Sequence, residues 1–211
     1  MLRFISAAIS VVAVLGSMAG PVRADDSPGP HDYYDPDPGT RQLLRNVEAF
    51  HINSGVENMK KGSYGYAEKD FDFILKYFPN HPRGLLLMAD LALKVKNPEK
   101  AEPYFRSAIQ MFPNRPSGYA AYGVFLQKQH QLDRAIENYQ AALKLEPGSP
   151  STNYNIGLAY VEKGQYELAG VHAHKAYNAG IRFPALREKL MKAGAWKSAG
   201  ESDLKESGRA R

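Results

Sequence analysis

The chain repeats itself at a spacing of 34 residues. Tyr77–Gly84 reads YFPNHPRG, and Met111–Gly118 reads MFPNRPSG 34 positions later. Units counted from Glu48, Pro82, Pro116 and Pro150 align without an insertion. Their eighth residues are Gly55, Ala89, Gly123 and Gly157, and their twentieth are Ala67, Ala101, Ala135 and Ala169. The thirty-second is Pro79, Pro113 and Pro147, with Ile181 ending the series. Between these marks apolar residues recur at three and four, as in AIENYQAALKL from Ala135 to Leu145, which is the periodicity of an amphipathic helix. Gly62, Lys96, His130 and Gly164 mark a turn midway. Each unit therefore reads as two helices of about a dozen residues joined by a short turn.

The small residues follow from that geometry. Antiparallel helices approach closely where neither carries a bulky side chain at the crossing, so Gly or Ala at position eight is expected to face Ala at position twenty. A proline near the end of the second helix stops it and turns the chain into the next unit.

These marks resemble the tetratricopeptide repeat, a helix-turn-helix unit of 34 residues. The fourth unit carries the resemblance in NIGLAYVEKGQYELA, with Ile156-Gly157, Tyr160, Gly164 and Ala169 in place; the third adds Tyr119, Gly123, Ala135, Tyr139, Ala142 and Pro147. The resemblance implies an all-α, right-handed superhelix of four units, 48–81, 82–115, 116–149 and 150–183, within an array at 47–183. Two units depart from the pattern. The first has His51, Ser54 and Asn58 where bulky apolar residues are usual, so an irregular first helix is expected. The fourth has Ala173 where an aromatic is usual.

Stacked units share their core only with neighbours, so each end needs a cap. Pro184–Trp196 suits the C-terminal one, with Leu186, Leu190 and Met191 expected to face the fourth unit. Residues 197–211, small or charged, are expected to be disordered. Upstream, Asp25–Asn46 reads as an acidic linker with four prolines and five aspartates before Leu44. Its alternating prolines favour extended backbone over helix. Ahead of it, Arg3 precedes the uncharged run Phe4–Val22, and Val22 and Ala24 occupy the small-residue positions of a signal-peptidase site. Export with cleavage after Ala24 is expected, to the periplasm in a bacterium. The rival is an uncleaved anchor, for which three serines, two glycines and Pro21 make a poor span. No stable membrane span is expected after cleavage.

Composition narrows the chemistry. There is no cysteine, which removes disulfides, thiolate metal sites and Cys nucleophiles. The formal charge of +5 has no dense basic block behind it, and a nucleic-acid ligand is not expected. His172 and His174 lie two apart on a helix, about 200° around it, and are not expected to share a metal. Asp32, Asp35 and Asp37 resemble an oxygen-rich loop but lack the Gly and Glu spacing of a calcium hand, so a solvated linker is the reading there. Asp70 and Asp72 point apart. Neither a phosphate loop nor a nucleophile elbow occurs. The chain reads as non-enzymatic, with no cofactor and no metal.

The resemblance implies that residues five, nine, twelve and thirteen of each unit line a concave groove. These include Ile52, Val56, Met59, Leu86, Leu93, Val124, Tyr154, Leu158 and Val161, interrupted by Asp90, Ala120 and Gln127. Lys60, Lys94 and Lys128 edge it, followed by Glu162. The Lys and Asn with which the co-chaperone class of these repeats grips a C-terminal carboxylate are replaced by Ile52 and Val56, so that clamp is absent. What remains is an apolar, lysine-edged trough suited to a protein or peptide segment carrying acidic residues. The chain's own residues 25–44, with Tyr33 and Tyr34, are the competing occupant. The expected role is a protein-binding scaffold in the cell envelope. The alternatives are a periplasmic holdase for apolar segments and an accessory subunit of a periplasmic enzyme.

Overall fold

A computed structural model describes residues 29–196, and every element in them is helical. Helix α1 (Pro38–Val47) runs through a π-helical turn at Glu48–Ile52 directly into α2 (Asn53–Lys60). Helices α3 (Tyr64–Tyr77) and α4 (Pro82–Lys94) follow, then α5 (Glu102–Met111), entered through a 3₁₀ turn at Pro98–Lys100. The array continues with α6 (Pro116–Lys128), α7 (Leu132–Leu145), α8 (Pro150–Glu162) and α9 (Tyr166–Asn178), and α10 (Ala185–Lys192) closes it. Helices α2 and α3, α6 and α7, and α8 and α9 pair within their units, α3 packs on α4 and α7 on α8, and α5 packs on α6 and meets α4 through the 3₁₀ turn, which builds one continuous solenoid core.

The turns recur almost unchanged. Gly62, Lys96, His130 and Gly164 all take positive φ, between 56° and 75°. Lys96 and His130 hold this left-handed conformation without glycine's freedom. At the corners between units, Phe78, Phe112 and Glu146 leave the helix at φ −130°, −129° and −136°. The amides of His81, Arg115 and Ser149 then donate to the carbonyls of those three residues. A proline follows each of the three, which forces the residue before it out of the helical region.

In the first and third hairpins the tightest contact differs from the one expected. A Cβ on Gly55 would lie 2.3 Å from the Phe71 ring, and one on Gly123 would lie 2.6 Å from the Tyr139 ring. The small eighth residue thus makes room for the aromatic at position twenty-four; Ala67, Ala101, Ala135 and Ala169 at position twenty are fully buried beside it. In the fourth unit position twenty-four is Ala173, and a Cβ on Gly157 would instead meet Leu186 Cδ2 at 2.7 Å. Helix α10 supplies from outside the repeat the side chain that the fourth unit lacks.

Three expectations need correction. Residues 38–46, read as extended linker, are helical: Asp37 Oδ1 accepts from the amides of Gly39 and Thr40 at 2.9 and 3.1 Å, and Pro38 occupies the first turn, where its missing N–H costs nothing. Asp37 is thus a helix cap, and Asp32 is likewise engaged rather than solvated. Met191 is exposed, and only Leu186 and Leu190 of α10 are buried. The irregularity of the first unit is the π turn, and its polar residues have a partner: His51, Ser54 and Asn58 all bond to Asp70 of α3. The signal segment 1–24, residues 25–28 and the tail 197–211 lie outside the described residues.

Candidate functional site

The first helices α4, α6 and α8 lie side by side, and polar contacts tie their expected groove positions together. Lys128 of α6 pairs with Asp90 of α4 at 2.5 Å, and Gln127 donates to Glu162 of α8 at 2.7 Å. Val56 is half-buried, and so are Met59, Leu86, Leu93, Val124, Leu158 and Val161, which pack against the core with one side left open. Tyr154 is half-buried too, with its ring 6.5 Å from Tyr177 and 5.9 Å from Phe183, at the cap end of the array.

Ile52 does not belong with them. It is 2% exposed and sits in the core. The cause is the π turn: one extra residue in a turn rotates what precedes it by about 100° relative to the α-helical register of the other units. The lysine edge is also less free than its spacing implied. Lys60 pairs with Glu57 and Lys128 with Asp90, while no carboxylate pairs with Lys94 among the described residues.

Residues 29–37 bind elsewhere. The His31 amide donates to the Tyr77 carbonyl (2.7 Å) and the Tyr33 amide to Asn80 Oδ1 (2.9 Å). Asp32 Oδ1 accepts from Asn80 Nδ2 at 2.7 Å, and Oδ2 takes Arg115 Nε and Nη2, both at 2.7 Å. Burial raises the Asp32 pKa, but the bonds from Asn80, the Tyr34 amide and Arg115 outweigh it and hold the carboxyl below its usual range. The arm therefore clasps two successive corners, where the first helices begin. Lys94 and Lys128 end those helices, α4 and α6, about 20 Å away for 13 residues, roughly twice the screening length at physiological salt. The attraction expected to draw the arm along the groove does not operate over that distance. Because the arm covers it, the first corner is buried at Phe78, Pro79, Asn80 and His81, whereas Pro113 and Asn114 of the second are exposed.

Beneath the arm, His81 caps α4: its Nδ1 accepts the Gly84 amide at 3.1 Å, so Nε2 carries the proton that faces Glu48 at 3.2 Å. Burial lowers its pKa despite Glu48. His51 and Ser54 meet on Asp70, but the hydroxyl bonds to the carboxylate and not to the imidazole, so the two do not form a hydroxyl–imidazole pair. His172 and His174 go to different partners, Asn153 and the Trp196 ring. Among the described residues no cluster of three potential metal ligands occurs.

One polar site escaped the sequence reading. Asn153, 1% exposed, opens α8 at position four, where the second unit has Leu85 and the third Tyr119. Its Nδ2 donates to the carbonyls of Pro147 and Ser149, so its Oδ1 must accept, and His172 Nδ1 donates to it at 2.9 Å. The pair borders a pocket of about 300 Å³ between α7 and α9. Comparing position four across the units was the signal that would have exposed it.

Residues 55–116 match the tetratricopeptide repeat model and residues 126–164 the TPR repeat model. No curated protein matches the sequence. Among solved structures, the chain is similar to PilW, described as a widely conserved type IV pilus biogenesis factor, with a TM-score of 0.57 at 23% identity over 73% of this chain and 71% of that one. PilF of Pseudomonas aeruginosa gives 0.55 at 18% identity over 71% and 70% of the two chains, and a MamA protein 0.50 at 19% over 68% and 79%. Repeat register, helix packing and sequence agree: the chain carries tetratricopeptide repeats over residues 55–116 and 126–164.

Proposed function

We propose that the protein is a non-catalytic scaffold that holds a segment of another protein along the face made by its first helices. One observation carries the reading: seven apolar side chains of α2, α4, α6 and α8 stay half-open there, while the chain's own arm is engaged at the corners. Exposed apolar surface of this extent on a rigid array is a binding surface by default. With Lys60 and Lys128 paired internally, the partner is chiefly apolar, and an acidic residue in it meets Lys94. The leader at residues 1–24 supports export, and in a bacterium work in the periplasm. PilW, described as a type IV pilus biogenesis factor, shares this fold and is the analogy for an envelope role.

Cross-linking in the native envelope followed by mass spectrometry identifies the partner. Leu86→Asp combined with Leu158→Asp is then expected to abolish its capture while circular dichroism stays helical. Undiminished capture by that folded variant would place the partner on another face.

A further inference from the structure

The pocket beside Asn153 is not demanded by the repeat. At the junction of the second and third units the corresponding positions hold Tyr119, Gln110 and Ala141 in place of Asn153, Lys144 and Lys175. Between the third and fourth units a small buried amide replaces a bulky ring, and two lysines coincide on the rim. Both ammonium groups are exposed, and no acidic side chain lines the pocket or pairs with them among the described residues. Leu143 and Pro147 form an apolar wall.

The hydrogen-bonding state of the floor is fixed. With Nδ1 donating to Asn153, neutral His172 presents Nε2 as an acceptor. No buried side-chain nitrogen or oxygen lacks a partner among the described residues, so Nε2, which has none, reaches solvent. The ring is held in place by stacking on Tyr160 at 5.6 Å, and Gln140, which donates to the Tyr160 hydroxyl, keeps its own carbonyl oxygen as a second acceptor. The pocket thus offers two cations, two acceptors and an apolar wall. Its complement carries an anion, an N–H donor and a hydrocarbon group in close succession.

We infer that this pocket binds the C-terminal end of a peptide, the carboxylate at Lys144 and Lys175, the last amide N–H at His172 Nε2, and the last side chain against Leu143 and Pro147. The site lies between second helices, apart from the first-helix face, and does not depend on that face being a binding surface.

The test uses the full-length protein with its histidines labelled with nitrogen-15 and three probes: N-acetyl-Ala-Ala-Leu with a free carboxylate, the same tripeptide as its C-terminal amide, and acetate. The free acid is expected to shift the ring nitrogens of His172. Amidation, or Lys144→Ala combined with Lys175→Ala, is expected to weaken binding about tenfold or more. Both lysines are exposed, so that variant keeps the fold. Equal binding of acid and amide, retained binding by the double variant, or no shift at His172 up to about 10 mM probe overturns the assignment. Acetate binding as tightly as the tripeptide also overturns it, leaving a site for small carboxylates only. Leu86→Asp with Leu158→Asp leaves the tripeptide result unchanged, which separates this site from the scaffold face.

Discussion

Helix α10 completes the fourth unit by inserting Leu186 where Phe71, Phe105 and Tyr139 stand in the other units, and this makes a quantitative prediction. Leu186 is fully buried, and its Cδ2 lies 2.7 Å from where a Cβ on Gly157 would be. Leu186→Ala removes three carbons from a closed site, and the expected loss is about 2–5 kcal/mol. Ala173→Phe alone drives a ring into space that Leu186 already fills and is expected to cost about 1–3 kcal/mol. Made together, the two changes exchange one filler for another. If both side chains compete for one volume, the double variant is more stable than the sum of the single losses requires, by about 1–3 kcal/mol. Urea unfolding is the assay, followed by circular dichroism for the whole array and by the fluorescence of Trp196, the sole tryptophan, for the cap. Both probes are needed because repeat arrays can lose their ends first. Strict additivity would refute the reasoning, since it would mean that Leu186 and residue 173 do not share a cavity.

Two further outcomes follow from the arm and from the buried imidazoles. Asp32→Ala removes the bonds to Asn80 and Arg115 and is expected to raise hydrogen exchange at the His31 and Tyr33 amides while costing about 1–2 kcal/mol; unchanged exchange there would show that the Tyr33 ring, 4.5 Å from the His81 ring, suffices to hold the arm. Burial, with a smaller contribution from Lys175, lowers the His172 pKa to about 4, and burial lowers that of His81. The unfolded chain then binds more protons than the folded one below the ordinary histidine pKa, so stability is complete above about pH 6.5 and declines as pH falls toward 4. Allowing for the partial exposure of His172, we expect it to contribute about 1 kcal/mol of loss between pH 7.5 and 5, largely absent in His172→Gln, measured by urea midpoints. Equal pH dependence in the two proteins would assign the loss elsewhere.

The repeat was legible because its geometry is local. A turn at Gly62 or His130 and a proline at 79, 113 or 147 act on adjacent backbone, and their spacing repeats in register. Long-range pairings were not legible. Asp32 reaches Arg115 across 83 residues, and nothing in HDYY announces this, although in DPDPGT just after it Asp37 followed by Pro38 did carry a helix-start signal that alternating prolines obscured. Eight of the nine apolar groove positions remain half-open in the structure, and the ninth, Ile52, fails at the π turn, where an α-helical register no longer predicts direction.

Polar residues stand at position four in the first and fourth units, for different reasons. In the inner units that position is Leu85 or Tyr119, next to a preceding second helix. In the first unit no earlier unit stands there, and His51 bonds to Asp70 at position twenty-three, a polar surface that discourages end-to-end stacking. In the fourth unit Asn153 and His172 form the same four-to-twenty-three pair at the same 2.9 Å, but with the third unit still stacked against them. Solvation of an array end cannot account for a polar pair at an internal junction, where an apolar pair would pack without the desolvation that Asn153 and His172 bear. A polar pair retained at such a cost, beside two unpaired lysines, is what a recognition site requires and what a spacer between repeats does not.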